Sequence, residues 1–153
     1  MNNPNLSSMK RLVLAVITFL SFSFITYAND VEISTTVLQS FNKSFKNASE
    51  VKWTSINQYY KADFIYNGQN VCAFYSNDGN LMAVTRHLLS TSLPVALQAN
   101  LKTGYEEYWI SDLFEISNEQ GTSYFITLEK SDVKLILQSA SGTEWSVYKR
   151  STK

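Results

Sequence analysis

The sequence predicts an α+β fold made of two units, each a helix followed by antiparallel strands. Three observations predict it. Two segments carry apolar residues at helical spacing: Val37, Leu38, Phe41 and Phe45, then Val95, Leu97 and Leu101. Each is followed by four strand-like runs separated by turn residues. The halves also correspond: a shift of 56 carries Phe41, Phe45 and Trp53 onto Leu97, Leu101 and Trp109. Val51 falls on Glu107 and does not match. Further on, a larger shift carries Tyr60, Ala62 and Phe64 onto Tyr124, Ile126 and Leu128, and Gly79 onto Gly142. The pattern describes one compact domain with a tandem α-β4 duplication, with repeats at about 35–88 and 92–150.

The N-terminus has the layout of a secretory signal, residues 1–28. Lys10 and Arg11 are its charged region. Leu12 to Ile25 is apolar except for Thr18, Ser21 and Ser23. Thr26-Tyr27-Ala28 places a small residue before a cut after Ala28. The alternative is a retained anchor, but the run is short against the about 20 apolar residues of a membrane span. Removing 28 of the 153 residues leaves a mature chain of 125, residues 29–153, enough for one domain with a sizeable core. Of 13 basic residues, 11 remain after Lys10 and Arg11 are lost, against 13 acidic ones. The mature charge is then about −2, with no basic stripe, which argues against nucleic acid and anionic membrane surfaces as partners. The expected location is the periplasm.

The first helix is expected from about Thr35 to Ala48, ended by Asn47 and Ser49. Val51 and Trp53 alternate with Lys52 and Thr54. Tyr60, Ala62, Phe64 and Tyr66 alternate with Lys61 and Asp63, the pattern of a half-buried strand. Asn67-Gly68 signals a hairpin, because both residues tolerate positive φ. Val71 to Tyr75 is the third run, Asn77-Asp78-Gly79-Asn80 the next turn, and Leu81 to Leu88 the fourth run. Pro94 opens the second helix behind Thr91 and Ser92 as caps, and Gly104 stops it. Strand-like runs follow at about 106–117, 122–129, 133–139 and 144–150. A longer first loop in this half explains the uneven shift. Residues 88–93 are the only seam, and each half is near 60 residues, a marginal size for a separate core.

The order Phe41-x3-Phe45, Val51-x-Trp53, Tyr60-x-Ala62-x-Phe64, Asn67-Gly68, Ala73-Phe74-Tyr75, Asp78-Gly79 resembles the PepSY-like, beta-lactamase-inhibitor-like periplasmic proteins of Bacteroidetes. The resemblance covers about 36–150 and is sharpest in the first half. It implies two helices packed on one face of an antiparallel sheet, with the opposite face open. In inhibitor relatives that open face grips a partner protein. The matching residues are core aromatics and turn residues, so no inhibitory residue carries over. The second half departs from the pattern: it lacks an Asn-Gly or Asp-Gly pair.

Strand parity divides the faces. Tyr60, Ala62 and Phe64 should meet the helices, leaving Lys61, Asp63 and Ile65 on the open side. By the same rule Ala73 and Tyr75 point inward, and Cys72 and Phe74 outward. In the second half Trp145 and Val147 read as core and Tyr148 as open. Lys61, Asp63, Ile65 and Phe74 are therefore the candidate partner-binding residues, with Phe74 as an uncovered aromatic anchor. The competing reading of Phe74 is a lone aromatic in cross-strand pairing.

Nothing in the chain assembles a catalytic or metal-binding motif. His87 is the only histidine, and there is no His-Glu-x-x-His, Cys-x-x-Cys or Gly-x-Ser-x-Gly. Cys72, the only cysteine, reads as a small strand residue, with a bridge between chains as the alternative. Glu106, Glu107, Asp112 and Glu115 read as a solvated acidic edge rather than a calcium loop or carboxylate pair. Trp53 and Trp109 read as core. No cofactor or metal is expected. The function expected is a non-catalytic binding module for a protein or peptide. The alternative is a periplasmic small-ligand binder with a pocket lined by Tyr60, Tyr66 and Tyr75.

Overall fold

Helix α1 (Thr35–Ser44) leads into four strands, β1 (Ser49–Ile56), β2 (Tyr59–Tyr66), β3 (Gln69–Ser76) and β4 (Leu81–His87). A short 3-10 turn, Ser90–Ser92, precedes helix α2 (Val95–Gly104). Then come β5 (Trp109–Asn118), β6 (Gly121–Lys130), β7 (Val133–Ser139) and β8 (Ser146–Thr152). The structure is a computed structural model and describes residues 32–56 and 59–152. The proposed signal segment lies outside the described residues. No helix among the described residues is long and apolar enough to cross a membrane.

The eight strands form one sheet in sequence order, each antiparallel to the next. A meander of this kind needs only short turns, because antiparallel neighbours can be joined directly. Asn67 (φ 52°) and Gly68 (φ 76°) make the β2–β3 hairpin, as their sequence predicts.

Helix α1 packs against residues of β1 to β4, and α2 against residues of β5 to β7. Val37 and Phe41 of α1 are buried with Ala62, Phe64, Val71, Ala73 and Tyr75, and Trp53 borders them. Phe41 sits against four rings, those of Phe45, Trp53, Phe64 and Tyr75. Leu97 of α2 is buried with Leu113, Ile126, Leu128, Leu135 and Leu137. The Trp145 indole donates to the Leu97 carbonyl at 3.1 Å, tying the β7–β8 loop to α2.

Several boundaries differ from expectation for local reasons. Helix α1 stops at Ser44, because Phe45 leaves helical geometry (φ −129°, ψ 59°) to reach the core. Ser34 caps its start by accepting from the Val37 N–H. Thr91 and Ser92 lie in the 3-10 turn and do not cap α2; Pro94 stands at the cap position without a side-chain hydrogen bond. The Gln98 amide instead ties that turn down, donating to the carbonyls of Leu93 (2.8 Å) and Thr91 (3.2 Å).

Trp109 is 51% exposed, against the expectation of core packing. The cause is a bulge between Ile110 and Asp112, which reverses strand parity. Trp53 faces Ala62 across the β1–β2 ladder, whereas the residue facing Ile126 is Leu113. Leu113, buried beneath α2, therefore does the packing assigned to Trp109. Val147, expected in the core, is 60% exposed on β8, the last strand of the sheet among the described residues.

Candidate functional site

Alternation on β2 turns Tyr60, Ala62 and Phe64 toward α1 and leaves Lys61, Asp63 and Ile65 on the other face. Cross-strand register extends that face row by row. Lys61 lies opposite Phe74, and Phe74 opposite Ala83. Asp63 lies opposite Cys72, then Thr85 and Ile116. His87 lies opposite Phe114, and Phe114 opposite Phe125. The strand parity read from the sequence places Lys61, Asp63, Ile65 and Phe74 together on this face.

Phe74 is 5% exposed, so it is not an uncovered anchor. It belongs to an apolar floor with Ala83, Phe114, Ile116 and Phe125, all buried. The Phe114 and Phe125 rings stack with centroids 5.5 Å apart and planes 10° apart. Tyr148 meets Phe125 edge-on at 5.7 Å, and His87 lies 6.3 Å from Phe114. The accessible parts are at the polar margin: the side chain of Asp63 is 38% exposed and that of His87 58%.

Polar groups on this face are paired. Lys61 Nζ is 2.9 Å from Asp63 Oδ1. The Cys72 thiol donates to the same carboxylate at 2.8 Å. Burial, reinforced by the Asp63 hydrogen bond, pushes the Cys72 thiol up to about 12. His87 Nδ1 is 3.1 Å from Asp112 Oδ1. That hydrogen bond raises the imidazole pKa above its ordinary value, while partial burial and the Lys61 charge act against it. A thiol held protonated is a poor nucleophile. Among the described residues, no three His, Cys, Asp or Glu side chains come close enough to hold a metal ion.

The acidic edge expected at residues 106–115 is not one feature. Glu107 pairs with Lys130, Asp112 with His87, and Glu115 with Arg86 at 2.5 Å. The strand alternates Asp112 and Glu115 to different rows, so their charges serve different neighbours. Tyr60, Tyr66 and Tyr75 belong to the packed cluster beneath α1, with Tyr75 fully buried.

Sequence reasoning missed Phe114, Phe125, His87 and Asp112 as members of this face. Leu113-Phe114 and Phe125-Ile126 are consecutive buried residues, so alternation is invisible there. Unbroken apolar runs were the available signal, since they mark strands buried on both faces.

No protein-family model matches the chain, and no curated protein matches it. Solved structures do match. A BLIP-like protein from Bacteroides fragilis aligns with TM-score 0.71 at 22% identity, over 80% of this chain and 89% of that one. A candidate periplasmic protein from Bacteroides eggerthii aligns with TM-score 0.69 at 16% identity, over 79% and 89%. A domain-of-unknown-function protein from Bacteroides ovatus aligns with TM-score 0.70 at 17% identity, over 79% and 88%. At these identities the likeness establishes a shared fold: eight antiparallel strands and two helices.

Proposed function

We propose that the chain is an exported, non-catalytic binding module that engages a protein partner through the face carrying Lys61, Asp63, Ile65 and Phe74. One observation carries this reading. Phe74, Ala83, Phe114, Ile116 and Phe125 gather on this face, and none of them belongs to the two clusters packed against α1 and α2. A sheet face meant for water alternates polar residues outward. The groups a protein partner would touch are those at the margin of this apolar floor that keep solvent access, Asp63, Ile65, His87 and Tyr148.

Register supports both helices lying on the other face. Val84, packed in the α1 cluster, lies opposite Ser117, and Ser117 shares strand parity with Leu113 of the α2 cluster. The same element order, helix then four strands, occurs twice, which fits an internal duplication. Export rests on the signal-like N-terminus and on the likeness to a candidate periplasmic protein. An inhibitor-like role rests on the BLIP-like fold alone, and fold does not fix function.

The test is affinity capture from bacterial envelope extract with the wild-type protein beside Ile65→Asp and Tyr148→Asp. Both positions retain solvent access, so neither change buries a charge fully. A protein captured by the wild type and lost from both variants supports the reading. Capture that ignores both variants removes the site, and an empty capture removes the protein partner.

A further inference from the structure

A cavity of about 570 Å³ opens at the C-terminal end of α2, between the helix, the 3-10 turn and the first residues of β5. That volume falls within the about 300–1,000 Å³ range of small-molecule sites. Leu101, Ile110 and Leu128 form its apolar wall. Ile110 is 43% exposed, an unusual position for a large aliphatic residue unless something covers it. Tyr105 and Tyr108 line it with rings 6.1 Å apart, edge to face. Gln98 fixes the polar side through its hydrogen bonds to Thr91 and Leu93, so this wall is preformed.

Charge defines the occupant. Lys102 and Glu106 both line the cavity. Neither forms an ion pair among the described residues. The neighbouring charges are satisfied: Glu107 pairs with Lys130, whose ammonium also lies 5.9 Å above the Tyr108 ring. One cation and one anion therefore border an apolar cavity with no partner of their own.

We propose that this cavity binds a small zwitterion with apolar side chains, namely an unblocked apolar dipeptide or tripeptide. Its carboxylate meets Lys102, its ammonium meets Glu106, and its side chains lie on Leu101, Ile110 and Leu128. The opposed charges select the peptide over a fatty acid, whose single carboxylate Glu106 would repel.

The test is isothermal titration calorimetry of the purified protein with the dipeptide Leu-Phe and with its N-acetylated, C-amidated form. Leu-Phe should bind saturably. Lys102→Gln and Glu106→Gln should each weaken it roughly tenfold, as for loss of one charge-assisted contact. The blocked peptide should bind more weakly than either variant binds Leu-Phe. Both positions are exposed, and unchanged thermal midpoints will show that the variants fold. No saturable heat, equal binding of the blocked form, or indifference to both substitutions overturns the proposal. So does tighter binding of dodecanoate than of Leu-Phe. Ile65→Asp should leave Leu-Phe binding unchanged, so this site and the partner face fail independently.

Discussion

The Cys72 thiol donates to Asp63 across the β2–β3 ladder, and Asp63 also holds Lys61. One carboxylate thus serves two neighbours on one face. The consequence for Cys72 is chemical silence. A thiol raised from 9.0 to about 12 has a roughly thousandfold smaller thiolate fraction at neutral pH. Disulfide-exchange reagents should label native Cys72 at least about a hundredfold more slowly than the urea-unfolded chain. Equal rates would show that the thiol is free to ionise.

Gly79 joins the β3–β4 turn to the start of α1. Its φ is +82°, and an added Cβ would lie 2.9 Å from Thr36 Cγ2 and 3.1 Å from the Thr36 carbonyl oxygen. The carbonyl belongs to a helix and cannot yield cheaply. Gly79→Ala should destabilise by about 1–3 kcal/mol. Gly68→Ala, at φ +76° in open space, should cost less. Urea denaturation of both variants checks the order; a larger loss at Gly68 would contradict the packing of the turn on α1.

Tyr75 is fully buried, and among the described residues its hydroxyl meets only a weak contact, with Ser44. Burial pushes the phenol up to about 12, offset only in part by Ser44. Removing a buried, poorly satisfied hydroxyl relieves its desolvation and loses at most the weak Ser44 contact. Tyr75→Phe should leave stability unchanged or raise it by roughly 1 kcal/mol. A clear loss in chemical denaturation would mean that the hydroxyl is satisfied in solution.

His87 and Asp112 set a pH dependence. The folded pKa of His87 is raised, so its protonated form favours the fold. The contribution is complete below the unfolded value of about 6.5 and is lost as pH rises through the higher folded value. The thermal midpoint of the wild type should therefore fall between pH 6 and pH 8 relative to Asp112→Asn. Parallel profiles for the two proteins would refute the coupling. Tyr148 and Phe114 lie on the same face, so partner capture should be compared at both pH values.

The legible parts of the sequence were those where polar and apolar residues alternate. Tyr60 to Tyr66 shows both faces of β2, and the structure places Lys61, Asp63 and Ile65 as that alternation implies. Asn67-Gly68 is legible because its backbone demand is local. The second half was harder to read. Its strands β5 and β6 are buried on both faces, and the Ile110–Asp112 bulge reverses parity before Leu113. One extra residue there exchanged the roles of Trp109 and Leu113.

The sequence alone determined the element order, the antiparallel character of the strands and the core of the first half. Those follow from periodicity and turn chemistry, which act over a few residues. Only the tertiary structure decided that Phe74 sits in a buried floor with Phe114 and Phe125. It alone paired Asp112, Glu115 and Glu107 with His87, Arg86 and Lys130, and opened a cavity lined by Lys102 and Glu106. These relations join residues on different strands or elements. Register and burial fix them, and no local pattern in the chain encodes either one.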